Sequence, residues 1–232
     1  IVSLGDGLKA TVMTQVEKEG GTSIIYVRSP GSWYRNSKGR WVRRDWEEYL
    51  ENKDMKAFME SSPHIRYVVP IIYTNRDVRY HAATTQARIR ATNQYYMDTE
   101  GWAIEFGRFI SEQDVADAVK VAVVGKELAQ DLYGGGNPVG KELKIGGERY
   151  LVVGSLAEFK FLGNTNERNM VVPITTFQKR IFGNERINTL EVMASSPERV
   201  EEVATQLRHI LRGMHKHGAE FQVETGASEI EQ

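Results

Sequence analysis

Residues 187–224 read INTLEVMASSPERVEEVATQLRHILRGMHKHGAEFQVE, and the spacing of their apolar positions changes twice. Residues 187–193 are a short apolar-rich run and read as a strand. From Ser196 the period becomes helical: Val200, Val203, Ala204, Leu207, Ile210, Leu211 and Met214 recur at three-and-four spacing and share one stripe. Ser196 stands where it can cap this helix, and Pro197 takes its first turn, where a missing N–H breaks no bond. Residues 220–224 supply a second strand. The whole stretch is therefore a strand-helix-strand unit whose helix buries its stripe on the sheet.

The first ninety residues hold a similar unit. Ser23-Ile24-Ile25-Tyr26-Val27-Arg28 reads as a buried strand closed by the turn residues Ser29-Pro30-Gly31. Asn52 can cap a helix over 53–60 with Met55, Phe58 and Met59 inward, and Pro63 stops it. Residues 66–74 and 77–93 read as two long strands joined at Asn75-Arg76-Asp77, with Ala87, Ile89 and Ala91 alternating against Arg88 and Arg90. Upstream, Leu8, Val12 and Val16 place a helix over 4–19 that ends at Gly20-Gly21. Residues 33–51 are rich in Arg, Lys, Glu and Trp with poor periodicity, as in a partly ordered surface insertion with one short helix over 45–50.

Between residues 96 and 182 the texture shifts to short strands, Gly-rich turns and two short helices. Ser111-Glu112-Gln113-Asp114 is a capping box opening the first helix, and residues 126–132 form the second. Strands are expected at 121–124, 143–145, 149–153 and 170–172. The fold class is α+β: a split βαβ, ferredoxin-like lobe of residues 1–97 and 186–232, with a mostly β lobe of residues 98–185 inserted into it.

With 232 residues, 41% hydrophobic and 26% charged, the chain is long enough for a real core and unlike a disordered or collagen-like sequence. Its 30 Lys+Arg against 31 Asp+Glu leave no overall field for a phosphate backbone, which argues against nucleic acid as a partner. The absence of cysteine removes disulfides, Cys-ligated metals and thiol catalysis together. The longest apolar runs, at 67–73 and 121–124, fall far short of the ~20 residues that span a bilayer. An opening at Ile1, with no basic leader, reads as a segment cut from something longer.

The motifs that could carry chemistry fail on context. Gly135-Gly136-Asn137-Pro138-Val139-Gly140-Lys141 fits G-x-x-x-x-G-K, but Glu142 follows where magnesium needs a hydroxyl, and the flanking order is helix-loop-strand. His215 and His217 stand at the end of a helix and read as a solvated C-terminal region beside Gly218. Neither G-x-S-x-G nor H-E-x-x-H occurs, and the Glu47-Glu48 and Glu201-Glu202 pairs read as solvated faces. No catalytic, cofactor-binding or metal-ligating residue is assigned. Phe159, Phe161 and Leu162, before Gly163-Asn164-Thr165-Asn166, are the candidate partner contact, because exposed apolar side chains on a loop are costly unless covered.

The middle lobe carries an ordered series of motifs: Val121-Ala122-Val123-Val124-Gly125, Leu128-Ala129, Leu132-Tyr133-Gly134 and Asn137-Pro138-Val139-Gly140-Lys141. Ile145, Tyr150-Leu151-Val152-Val153-Gly154, Val171-Val172-Pro173-Ile174-Thr175-Thr176 and Arg180-Ile181-Phe182-Gly183 continue it. This series resembles the periplasmic core domain of MacB-type ABC-transporter permeases (the MacB/FtsX-like family). The resemblance extends over nearly the whole chain except residues 33–51, which depart from the family pattern.

The resemblance implies a non-catalytic domain outside the cytoplasm, between two membrane helices of a permease, with a porter lobe (1–97 and 186–232) and an inserted sabre lobe (98–185). It further implies a cytoplasmic ABC ATPase in the same or a separate chain, a second permease subunit, and in some members a periplasmic adaptor and an outer-membrane channel. The implied role is to relay ATP-driven motion and extrude substrate; relatives extract lipoproteins or activate wall hydrolases, and the shared motifs do not separate these. It also implies that the opening helix and the last strand lie together at the membrane-proximal end. A rival reading from the residues themselves is a ligand- or signal-sensing module, to which Tyr95, Tyr96, Trp102, Phe106 and Phe159 would contribute.

Overall fold

The computed structural model describes residues 23–161 and 164–225. The expected opening helix, over residues 4–19, lies outside them, and so does its expected proximity to the last strand. In chain order the described residues form β1 (Ile24–Arg28), β2 (Trp33–Arg35), β3 (Trp41–Arg43), β4 (Leu50–Glu51), α1 (Asn52–Ser61), β5 (Ile65–Tyr80) and β6 (Ala83–Thr92). Next come α2 (Tyr96–Glu100), β7 (Ile104–Gly107), α3 (Glu112–Ala116), β8 (Val121–Val124), α4 (Lys126–Tyr133), β9 (Glu142–Ile145) and β10 (Glu148–Leu156). The last part holds β11 (Lys160–Phe161), β12 (Asn164–Thr165), β13 (Asn169–Pro173), α5 (Ile174–Phe177), β14 (Arg186–Ile187), β15 (Thr189–Ala194), α6 (Val200–Met214) and β16 (Gln222–Thr225).

These elements fall into two compact units, one of residues 23–68 and 186–225 and one of Val69–Glu185. The first crossing lies inside β5, ahead of the 97/98 boundary read from texture. The long hairpin explains the difference, because β6 pairs in parallel with β13 and so belongs with the inserted strands.

In the first unit the sheet order is β16-β1-β15-β5. β1 is antiparallel to both β15 and β16, with Ile25 opposite Val192 on one side and Thr225 on the other. β15 and β16 are therefore parallel to each other with β1 between them, so β15-α6-β16 is a split βαβ. β1-α1-β5 repeats the device around β15. Val200, Val203, Ala204, Leu207 and Leu211 of α6 are buried, while Met214 is exposed and Ile210 half-exposed. Each buried Val or Leu contributes about 1.5–3 kcal/mol relative to an exposed position. Ser196 begins a 3-10 turn over Pro197–Arg199, without a side-chain cap, and α6 starts only at Val200.

In the second unit β5 and β6 form an antiparallel hairpin, β13 runs parallel to β6 and antiparallel to β8, and β10 lies between β8 and β7. Val121–Val124 is buried at every position, as a strand covered on both faces should be. β9 pairs with β10 and also with β5, through Val78 opposite Ile145.

Three expectations need correcting. β5 does not turn at Asn75-Arg76-Asp77: these residues stay in the ladder opposite Arg88, Ala87 and Gln86, and the chain reverses at His81 and Ala82. Their side chains are polar because that stretch is solvated, not because it bends. Residues 45–50 form no helix, and residues 33–43 are an ordered β2–β3 hairpin. In α1, Glu51 rather than Asn52 is the N-cap, and Met59 is 52% exposed while Asp54 and Phe58 are buried.

Candidate functional site

The most chemically loaded place in the first unit is built by α1, the end of α6 and the segment between β3 and α1. Asp54 is fully buried, and its Oδ2 accepts the N–H of Glu51, closing the first turn of α1. Its Oδ1 lies 2.8 Å from Nε2 of His215, whose side chain is only 6% exposed. Nδ1 of the same imidazole faces Glu48 at 3.9 Å, and its ring packs on Phe221 with centroids 4.5 Å apart. Glu48 also accepts the backbone N–H of His217 at 3.0 Å. Trp46 stacks flat on the His217 ring at 3.8 Å.

These contacts explain why residues 45–50 are not helical. Trp46 and Glu48 are committed to the 215–217 loop, and the Leu50 N–H donates to Ser29 Oγ at 2.9 Å. Beside the cluster is a polar cavity of about 510 Å³ lined by Glu47, Glu48, Glu51, Lys53, Arg186 and Lys216 among others. The reading of His215 and His217 as a solvated helix end is thus corrected. Among the described residues no group of three His, Asp or Glu side chains is placed to hold a metal ion.

The candidate partner contact belongs to the second unit. Phe159 is half-buried, and its N–H donates to Asn166 Oδ1 at 3.0 Å, while Asn166 Nδ2 donates to the Ala157 carbonyl at 2.9 Å. The loop is therefore closed on a buried asparagine that sequence reasoning did not single out. Phe161 pairs through its backbone with Asn164; its side chain, and all of Leu162, lie outside the described residues. Of the aromatics put forward for a ligand site, Tyr96 and Trp102 are buried and meet edge to face at 5.5 Å, so they serve the core.

The G-x-x-x-x-G-K stretch is a connection: Gly134 ends α4 in the left-handed region, and Gly140 and Val152 tie the loop to β10. Lys141 Nζ sits 5.0 Å from the Tyr133 ring centroid. The capping box at Ser111 forms as expected, with Asp114 N–H donating to Ser111 Oγ at 3.2 Å and Ser111 N–H donating to Asp114 Oδ2 at 2.8 Å. Arg108 adds a 2.6 Å ion pair to Asp114.

Burial alone would push the Asp114 carboxyl up, but the Arg108 guanidinium and the Ser111 donors outweigh it and hold it below the ordinary carboxylate range. A depressed carboxyl stabilises the fold above the unfolded value of ~3.9 and loses that contribution as pH falls through the lower folded value. Asp114→Asn is therefore expected to cost about 1.5–3 kcal/mol near pH 7 in urea titrations. The difference from wild type should shrink below about pH 4.

A family model described as the MacB-like periplasmic core domain matches residues 1–210. The chain belongs to that family. This MacB-like periplasmic core domain is 28% identical, over its full length, to the macrolide export ATP-binding/permease protein MacB of Marinobacter nauticus, covering 35% of that protein. It is 25% identical over its full length to the pyoverdine export ATP-binding/permease protein PvdT of Pseudomonas entomophila, covering 34% of it. The chain thus spans about a third of the length of the curated relatives it matches.

Among solved structures, the periplasmic region of MacB from Actinobacillus actinomycetemcomitans matches with a TM-score of 0.77 at 18% identity, over 95% of this chain and 96% of that one. The extracellular domain of the ABC-type transporter YknZ from Gram-positive bacteria matches at 0.69 and 20% identity, over 87% and 99%. The α+β architecture, with its large mixed sheet, is that of these periplasmic domains. The buried His215 lies beyond the span that the family model matches.

Proposed function

We propose that this domain is the non-catalytic extracytoplasmic part of an ABC-transporter permease, and that two copies relay ATP-driven motion so as to extrude substrate. What supports this reading is that the whole chain aligns with about a third of proteins named ATP-binding/permease. The other two thirds leave room for an ATPase and membrane helices. On this reading the partners are a cytoplasmic ABC ATPase, a second permease subunit, and a periplasmic adaptor leading to an outer-membrane channel. In the boundaries read from the sequence the porter lobe comprises residues 1–97 and 186–232 and the sabre lobe residues 98–185, with the β5–β6 hairpin pairing onto the strands of the latter. The loop of Phe159, Phe161 and Leu162 is the partner contact. Macrolides and pyoverdine, named for the two relatives, are chemically unlike, so no cargo follows from the fold.

A relay must move when nucleotide binds elsewhere. The chain has no cysteine, so a spin label at Lys160→Cys, an exposed position, reports without background from this domain. In the full permease, stripped of other cysteines, the label-to-label distance between the two subunits should change between ATP-bound and nucleotide-free states. Identical distance distributions in both states, or nucleotide hydrolysis by the isolated chain, would sink the reading.

A further inference from the structure

The near-neutral balance of the chain conceals one strongly biased stretch. Residues 29–44 contain Arg35, Lys38, Arg40, Arg43 and Arg44 and no acidic residue. They fold into the β2–β3 hairpin, in which Trp33 stands opposite Arg43, Tyr34 opposite Val42 and Arg35 opposite Trp41. Because side chains alternate across a strand, Trp33, Arg35, Trp41 and Arg43 share one face, with an indole directly opposite a guanidinium at both pairs. Tyr34 and Val42 take the other face, where Arg44 lies over the Tyr34 ring at 4.9 Å.

The hairpin is well ordered at both ends. Asn36 Oδ1 accepts the N–H groups of Lys38 and Arg40 at 3.0 Å each, and Gly39 supplies the left-handed residue of the turn at φ 73°. At the base, Arg44 pairs with Glu220 at 2.9 Å and stacks over Trp46 at 4.7 Å. The outer face is left open: Trp33 is 57% and Trp41 68% exposed. Among the described residues no carboxylate lies within ion-pair distance of Arg35, Lys38, Arg40 or Arg43.

We propose that this face is a docking surface for an anionic phospholipid bilayer. Indoles settle at headgroup level, where their apolar body and polar N–H are both satisfied, and a guanidinium matches a phosphate with two parallel hydrogen bonds. Rigidly alternating the two on one face puts every indole beside a phosphate-binding group. Lys38 and Arg40 extend the charge to the turn. Two three-residue strands are too small to supply the ~800 Å² that a stable protein partner buries on each side. A lipid surface asks for no such fitted area, only for charge and interfacial side chains.

The test is sedimentation of the 232-residue chain with vesicles of phosphatidylglycerol and phosphatidylcholine, and with phosphatidylcholine alone, at low and high salt. The wild type should bind only the anionic vesicles, and less at high salt. Arg35→Gln/Arg43→Gln should lower the partition constant by about thirtyfold. Trp33→Ala/Trp41→Ala should lower it by at least about tenfold, because interfacial binding scales with the apolar area buried. Both variants should stay close to the thermal midpoint of the wild type, since Trp33 and Trp41 are exposed and the bond lost with Arg35, from its Nε to the Gly39 carbonyl at 3.0 Å, is at the solvated turn. Equal sedimentation of variants and wild type, or binding to phosphatidylcholine alone, would overturn the proposal. So would binding to a soluble polyanion such as polyglutamate that anionic vesicles fail to displace, which would place an acidic macromolecule there instead.

Discussion

Asp54→Ala is expected to destabilise the chain by about 2.5–4 kcal/mol, the cost of losing a helix cap together with a buried side-chain hydrogen bond. Two losses combine. The first is the cap: the Glu51 N–H loses the acceptor that closes α1, worth about 1 kcal/mol. The second is the partner of His215, an imidazole that is almost fully enclosed and already committed against Phe221. Asp54→Asn keeps an oxygen for the cap and should cost about half as much. The link can be isolated with His215→Leu in a double-mutant cycle followed by urea unfolding at neutral pH. A coupling of about 1.5–3 kcal/mol is expected for a hydrogen bond to a charged group. A loss below about 1 kcal/mol for Asp54→Ala would show that the pair carries no more than the cap.

The cluster matters to the relay reading because α1 and α6 are the crossover helices of the two βαβ units. A force-transmitting domain is stiffer when its crossovers are fastened to each other and not only to the sheet. Here the fastening is polar and directional, between the first turn of one helix and the residue after the last turn of the other.

The parts of this fold that the sequence made legible are those in which one local pattern decides the outcome. The stripe from Val200 to Leu211 has a single helical reading, and a strand followed by such a helix and another strand returns to the same sheet. Ser111 and Asp114 cap their own helix within four residues, so the box needed no tertiary knowledge. Val121–Val124 is apolar at every position and could only be a fully covered strand.

What was missed depends on partners far away in the chain. Asp54 and His215 are 161 positions apart. The available signal was that Asp54 lies four residues before Phe58, on the buried face of α1. Residues 45–50 carry helix-forming Glu, but stacking on His217 and the bonds to Glu48 hold them out of a helix. The parallel pairing of β6 with β13, which decides the unit that the hairpin joins, likewise links residues about 80 positions apart and leaves no local mark. The cationic run in residues 29–44 was hidden by a whole-chain balance that averages it away. The π-helical turn at Gln178–Phe182 had no sequence signal that we can identify.

Gly125→Ala should be nearly as damaging in the second unit, at about 3 kcal/mol, although it adds a single methyl group. Gly125 joins β8 to α4 with an ordinary extended backbone, at φ −75°, so conformational strain is not the reason. The reason is space: a Cβ there would stand 2.3 Å from the carbonyl oxygens of both Asn166 and Glu167. Those are backbone atoms and have no rotamer by which to yield. The Glu167 carbonyl accepts the N–H groups of Glu127 and Leu128 at 3.0 and 3.2 Å, the donors that the first turn of α4 leaves without a helical partner. Pushing the loop away to admit the methyl group therefore uncaps the helix as well. It also shifts Asn166, on which the segment with Phe159 closes, so protease should cut residues 157–166 faster in the variant. Gly213→Ala is the control. Nothing lies within 4 Å of a Cβ at that exposed position of α6, and alanine is favoured in a helix by about 1 kcal/mol. One and the same substitution should then move the urea midpoint down at 125 and up at 213, and equal shifts at both sites would refute the crowding argument.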